Sequence, residues 1–337
     1  MSQGTALQRR AALADPVRRY ERMMEIRTVE DTINELFASG AIHGTTHLCQ
    51  GQEAVAVGLA SVTRPDDVVT ATYRGHGVAL ALGMTPLALL AEIMGKMEGC
   101  AGGVGGSMHM SDPEIGLLPT FAIVGAGLPV AAGAALAFQT RGEQRAAIAV
   151  FGDGATNIGA FHESLNLAAI WKLPVVFVID NNVYGEYCRW NLTTPLENLH
   201  QRAASYAMPA SVVDGMDLDA VRGTVGAAVE RAREGGGPTL VEAKTYRFAG
   251  HSRSDPAPYR PEGEFESWRS RDPVALAARE LVRAGHADES GVQSIDEAVR
   301  ARIAAAVVRA VALPATGVEA MFRNVWTEPL RAVGTVR

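Results

Sequence analysis

The chain has 337 residues, 47 % of them hydrophobic and 20 % charged, with a formal net charge of −6. That length buries a sizeable core, and mixed charge without a basic block argues against a nucleic-acid partner. The three cysteines, Cys49, Cys100 and Cys188, are odd in number and widely spaced; neither a disulfide framework nor a cysteine zinc site is indicated, and a reducing, cytoplasmic compartment is expected.

The first twenty residues lack the apolar run of a signal peptide. Asp15-Pro16 opens a run with apolar Val17, Tyr20, Met23, Met24, Val29, Ile33, Leu36 and Phe37, the spacing of an amphipathic helix that Gly40 stops. A polar loop (HGTTHLCQGQEA) then feeds a helix of small residues, and DDVVTATYRGHG reads as a short strand with a polar exit. The most apolar stretch, Val78 to Gly95, is interrupted by Thr85, Pro86 and Glu92. Thr85 and Pro86 suit an N-cap and first helical position, so two buried pieces fit better than a membrane span.

Residues 99–129 form a long glycine-rich passage, and loops of that length inside a domain are usually functional or mobile. A small-residue helix, the buried strand AAIAVF, a glycine turn, a helix from near Ala155 to Trp171 and the strand PVVFVI follow. SVVDG, DLDAVRGTVGAAVERARE and PTLVEAKTYR repeat the strand–helix–strand rhythm. The tail predicts helices near 273–285 and 294–312, the second opened by Ser294 and Glu297 as a capping box. The whole implies an α/β fold: a doubly wound, mostly parallel sheet with helices on both faces. The expected organisation is a helical N-terminal extension (1–45), a central domain (46–270) and a helical C-terminal extension (271–337).

In such sheets ligands bind beyond the carboxyl ends of the strands. Asp153, in a Gly-Asp-Gly turn after AAIAVF, and Asn182, after PVVFVID, both lie at that edge, one strand–helix–strand unit apart. A helix starting near Ala155 would aim its N-terminal amides at the same place, an anion site. An Asp oxygen, an Asn oxygen and the Tyr184 carbonyl would suit Mg²⁺, with diphosphate oxygens and water completing the octahedron. Either short signal alone is more often a plain turn or loop; the spacing is what turns them into a metal–diphosphate site.

Gly-Asp-Gly followed about 30 residues later by paired Asn resembles the thiamine diphosphate motif. With HLCQGQEA (47–54), YRGHG (73–77), GGSMHM (105–110), IVGAGLP (123–129) and TYRFAGHSRSDP (245–256), residues 20 to 275 resemble the alpha subunit of the first component of 2-oxo acid dehydrogenase complexes, of pyruvate or acetoin type. The resemblance implies a thiamine diphosphate-binding fold of the diphosphate-binding type. It implies metal ligation by Asp153, Asn182 and the Tyr184 carbonyl, and diphosphate contacts from Gly152, Gly154 and Ala155. Tyr73 and Arg74 would hold the phosphate end, as a phenol and an Arg fork suit. Ile123, Val124 and Gly125 would pass beside the aminopyrimidine. His47 and His251 would be the active-site histidines, with His251 also against the cofactor.

The implied activity is oxidative decarboxylation of a 2-oxo acid with acyl transfer to a lipoyl-bearing acyltransferase component. A beta subunit would complete the site in an α₂β₂ heterotetramer, and the chain alone should turn over little. No membrane association is implied. His76 and His109 stand in matching motifs and are left open between structure and function; His43, His162, His200 and His286 are read as structural, and Cys49 and Cys100 as buried fillers. Ala249 and Ala122 depart from the family pattern at places that bear on the substrate pocket and the pyrimidine. Ser252 matches a phosphorylation position in some relatives, beside its reading as a plain loop serine. Rivals are cleavage of acetoin, a split transketolase-type carboligase needing no lipoyl partner, and a non-catalytic scaffold.

Overall fold

The computed structural model describes residues 3–322; the end of the expected C-terminal extension, from residue 323, lies outside them. Eleven helices are described: α1 (Gln3–Ala11), α2 (Pro16–Ala38), α3 (Glu53–Ala60), α4 (His76–Leu82), α5 (Pro86–Ile93), α6 (Gly127–Arg141), α7 (Gly159–Trp171), α8 (Leu218–Arg233), α9 (Glu264–Arg269), α10 (Pro273–Arg283) and α11 (Glu289–Ala312). The strands are β1 (Val68–Thr72), β2 (Leu117–Phe121), β3 (Ala147–Gly152), β4 (Val175–Asn181), β5 (Tyr184–Gly185), β6 (Cys188–Arg189), β7 (Ala210–Asp214) and β8 (Thr239–Lys244). Six of them make one sheet in the order β2-β1-β3-β4-β8-β7, every pair parallel, while β5 and β6 form a separate antiparallel hairpin.

The sheet is apolar on both faces because helices cover both. In β3, Ile148 and Val150 join one core while Ala147, Ala149 and Phe151 join the other; β4 divides the same way, with Val176 and Val178 against Val175, Phe177 and Ile179. Such strands read as unbroken apolar runs, since alternation of direction brings no alternation of environment. α6 and α7 cover the second face, and α2, α3, α8 and their neighbours the first. The small residues of α3 have a packing reason. A Cβ at Gly58 would stand 2.7 Å from Val221 Cγ1 of α8, so only glycine allows that approach.

Buried ion pairs tie α2 and α10 to this frame. Arg27 of α2 donates to Glu53 of α3 (2.7 Å) and, through both terminal nitrogens, to Asp272 at the start of α10 (2.8 and 3.1 Å). Removing one partner of such a set typically costs roughly 3–5 kcal/mol, because the other charge is left buried and uncompensated. Thr85 caps α5 by accepting from Ala88 N, with Pro86 first in the helix. None of the described helices is long and apolar enough to cross a membrane.

Three local expectations are corrected. The glycine-rich passage holds a strand, β2, at the sheet edge beside β1, where Leu117 is fully buried. It is also a built loop: the Glu92 carboxylate, itself fully buried, accepts from the amides of Ala101 (2.7 Å), Gly103 (2.9 Å), Gly105 (2.7 Å) and Gly106 (3.0 Å). The helix expected near Ala155 starts at Gly159, because residues 153–157 first make a 3₁₀ turn closed by Thr156 Oγ1 on Asp153 O. In the tail, α11 starts at Glu289, where Asp288 caps it by accepting from Gly291 N (2.7 Å). Asp288 supplies the cap, and Ser294 sits inside the helix, donating back to Ser290 O.

Candidate active site

At the carboxyl edge of the sheet the exits of β1, β3 and β4, the hairpin and the segments 47–56 and 247–251 enclose one cavity of about 510 Å³. The register pairs Gly152 of β3 with Asp180 of β4, so Asp153 and Asn182 leave neighbouring strands at that edge. Both side chains are buried, and Asp153 Oδ2 and Asn182 Oδ1 have no hydrogen-bond partner. An orphaned buried acceptor costs free energy unless a ligand supplies its partner. Asn182 Nδ2 is held by Gln52 Oε1 at 3.4 Å, which leaves its carbonyl oxygen as the free atom.

The turn after Asn182 is forced into shape. Val183 has φ +80, an outlier for a β-branched residue. That turn brings β5 over the Gly-Asp-Gly turn, where a Cβ added to Gly185 would lie 3.3 Å from Gly154 Cα and 3.6 Å from Asp153 Oδ2. The Tyr184 carbonyl accepts from Arg247 Nη1 at 3.3 Å. One carboxylate, one amide oxygen and one carbonyl make a hard, oxygen-only donor set of low charge, which fits Mg²⁺ sharing a phosphate ligand better than a transition metal. No cluster of three or more His, Cys, Asp or Glu side chains suited to a metal occurs among the described residues.

Burial dominates the electrostatics. It pushes the Asp153 carboxyl up to about 6 and that of Asp180 up to about 7. His47 is driven down to about 3 and His251 to about 4, first by burial and then by the Arg74 guanidinium. The two imidazoles lie 5.0 Å apart, with the Tyr73 ring 4.4 Å from His47 and 5.9 Å from His251. Their Nδ1 atoms are buried without partners. Neutral imidazoles beside two guanidiniums, Arg74 and Arg247, form a site made for an anion. A bound anion offsets the arginine contribution and returns the histidines towards the range where they exchange protons.

The structure gathers His47, Tyr73, Arg74, Val124, Gly125, Gly152, Asp153, Gly154, Ala155, Asn182, Tyr184 and His251 around this one cavity. Ile123 is not among its walls; its side chain is 73 % exposed. The chain turns there through Gly125 (φ +75), where a Cβ would fall 2.1 Å from Ile158 Cδ1. Arg74 also differs from the simple phosphate fork. It donates Nη1 to Leu48 O (2.6 Å) and Nη2 to His251 O (2.9 Å), so it ties the two histidine segments together and contributes its charge to the cavity.

Five further polar residues line the wall, Gln52, Thr72, Asp180, Glu186 and Arg247, which sequence reasoning missed. Arg247 is a large, fully buried side chain, donating also to Glu186 O and the Tyr259 hydroxyl. It stands inside TYRFAGHSRSDP and follows a strand end, which is the signal that marked it; Gln52 and Asp180 likewise sit inside stretches singled out for other residues. Cys49 lines the cavity, and burial drives its thiol well above the ordinary range, which leaves it a small apolar wall residue.

Residues 21–319 match the family described as dehydrogenase E1 component. Over 308 residues the chain is 42 % identical to the alpha subunit of acetoin:2,6-dichlorophenolindophenol oxidoreductase of Cupriavidus necator, covering 91 % of this chain and 92 % of that one. The pyruvate dehydrogenase E1 component alpha subunit of Zymomonas mobilis is 40 % identical over 309 residues (91 % and 87 %). That of Rhizobium meliloti is 38 % identical over 312 residues (92 % and 90 %).

Proposed function

The chain belongs to the dehydrogenase E1 component family, and we propose that it is the alpha subunit of a thiamine diphosphate-dependent 2-oxo acid dehydrogenase acting on a pyruvate-like acid. The observation that carries this reading is the pair of orphaned, buried oxygens on Asp153 and Asn182 at adjacent strand exits of an arginine-flanked cavity. Thiamine diphosphate, when bound, supplies the carbanion chemistry that decarboxylation of a 2-oxo acid requires; the protein binds, orients and excludes water.

Asp153, Asn182 and the Tyr184 carbonyl would hold Mg²⁺, and the Gly152–Ala155 turn would present its backbone to the diphosphate. The Tyr73 phenol and the charge of Arg74 would steady the same end, while residues 122–125 would flank the pyrimidine. His47, buried, and His251, half-buried, both line the cavity and would position the substrate carboxylate and move protons once the anion is in place.

A beta subunit completes the active site, and a lipoyl-bearing acyltransferase receives the acyl group; we place the enzyme in the cytoplasm as an α₂β₂ heterotetramer. Exposed apolar residues on two packed helices support the need for a partner chain: Val130 and Leu136 on α6, with Leu167, Ile170 and Trp171 on α7. A second reading, cleavage of acetoin by the same site, is favoured by the 42 % identity to two acetoin oxidoreductase alpha subunits, those of Cupriavidus necator and Bacillus subtilis.

The test is an assay of the α/β assembly, loaded with thiamine diphosphate and Mg²⁺, on pyruvate, branched 2-oxo acids and acetoin, with a lipoyl domain as acceptor. Turnover of a 2-oxo acid with acylation of the lipoyl arm is the expected result. Turnover of acetoin alone selects the second reading. Carboligation to an aldehyde without lipoyl acylation selects a transketolase-type enzyme, and loss of all cofactor binding overturns the proposal.

A further inference from the structure

Behind the cavity wall lies a side-chain relay that the functional reading leaves unused. His76, the first residue of α4, donates from Nδ1 to Glu30 Oε1 at 2.7 Å and pairs through Nε2 with the Ser107 hydroxyl at 2.8 Å. The second carboxylate oxygen of Glu30 accepts from Cys49 N at 2.6 Å. Glu30 and His76 have no accessible surface and Ser107 is 7 % exposed. Serine, histidine and a carboxylate in a row invite comparison with a nucleophilic triad. Sealed from the cavity, this one has no access to a substrate.

Its members are instead neighbours of the wall. Cys49, whose amide is bound by Glu30, lines the cavity two residues from His47; Gly77 and Val78 line it directly after His76; Met108 lines it directly after Ser107. Three segments distant in sequence, 47–49, 76–78 and 107–108, are thus pinned at one point. The third has no secondary structure of its own beyond a short 3₁₀ turn, and the Glu92 carboxylate fixes the loop just before it through Gly105 and Gly106. Histidine suits the bridge because its two ring nitrogens face opposite ways and each makes one bond; an amide side chain reproduces one arm at a time.

We infer that His76 is a positioning residue, holding the Met108 loop and the His47 segment in the spacing that thiamine diphosphate requires, through Ser107 on one side and Glu30 on the other. The inference rests on the proposed function and concerns the same site. The cofactor affinity, and not only the stability of the fold, depends on this relay.

The test uses the α/β assembly with Ser107→Ala, His76→Asn and the double variant. Ser107→Ala deletes the hydroxyl, and His76→Asn keeps a donor towards Glu30 while losing the Ser107 arm. Each raises the calorimetric Kd for thiamine diphosphate in saturating Mg²⁺ by about tenfold, the scale of one buried hydrogen bond. The double variant is no worse than either, because both remove one interaction. A Ser107→Ala assembly whose Kd stays within twofold of wild type overturns the inference, whatever happens to its unfolding temperature; so do additive losses in the double variant. Failure of the wild-type assembly to bind the cofactor overturns the functional reading beneath it, an outcome distinct from both.

Discussion

The two sides of the cavity are built on opposite principles. At the exits of β3 and β4, Asp153 Oδ2 and Asn182 Oδ1 are buried without partners, next to a valine with φ +80. Behind the wall that Cys49, Gly77, Val78 and Met108 line, Glu30 and Glu92 are just as buried, yet Glu30 binds His76 and Cys49 N and Glu92 binds four amides. Unsatisfied, strained groups mark where a ligand is to complete the structure; satisfied ones mark what holds the site in shape while it waits. Substitutions on the first side should cost binding and spare the fold, and those on the second should cost the fold together with the affinity that rests on its shape.

The largest effect is expected from Asp153→Ala, which should weaken Mg²⁺-dependent cofactor binding by roughly 100-fold or more, since even outer partners of metal ligands are worth about 10–100-fold. The fold should not suffer. Burial raises the Asp153 carboxyl to about 6, above its unfolded value, so the folded state holds its proton longer and the cost of ionisation grows as pH rises through that window. Asp153→Asn without cofactor should therefore unfold at the same or a higher temperature than wild type at pH 7.5, with the difference closing below about pH 4. A clear drop at pH 7.5 would break the contrast.

Next comes Glu92→Ala, which strands four amide donors and should cost about 3 kcal/mol of unfolding free energy by chemical denaturation. A loss under about 1 kcal/mol, the ordinary value of a single bond, would put Glu92 among the dispensable groups. His47→Gln should act more weakly and only in acid. Its pKa in the fold is about 3, depressed by burial and Arg74, so its share of stability is complete above the unfolded value near 6.5 and is lost as pH falls towards 3. The variant's unfolding temperature should fall less steeply over that range than wild type's; a parallel profile would remove His47 from the account. Smallest of all, Arg283→Ala breaks only the exposed pair with Glu280 and should leave the unfolding temperature and cofactor affinity unchanged.

Much of this was legible in the residues. The alternation of apolar runs and helical stretches fixed the doubly wound sheet, because strands buried on both faces have to be apolar throughout. Asp153 and Asn182 could be placed at one edge from a strand–helix–strand spacing alone. Less legible was the glycine-rich passage, whose order comes from a single carboxylate on another element, Glu92, and whose strand β2 is short and carries a proline. Long-range side-chain-to-backbone bonds of that kind leave no periodic trace. Nothing local in YRGHG shows that the terminal nitrogens of Arg74 reach Leu48 O and His251 O, contacts 26 and 177 residues away in sequence. Arg247, four residues before His251 in the same stretch, is more deeply buried than that histidine, and its bonds to Tyr184 O, Glu186 O and the Tyr259 hydroxyl depend on the fold.

On the proposed reading, the strand exits of β3 and β4 hold the diphosphate end of the cofactor through a divalent cation. It is tested most directly by calorimetric titration of thiamine diphosphate into the α/β assembly, once with Mg²⁺ and once after exhaustive chelation. The account predicts one cofactor bound per alpha chain with the cation present and no measurable heat without it. Binding of equal affinity in the chelated sample would contradict it.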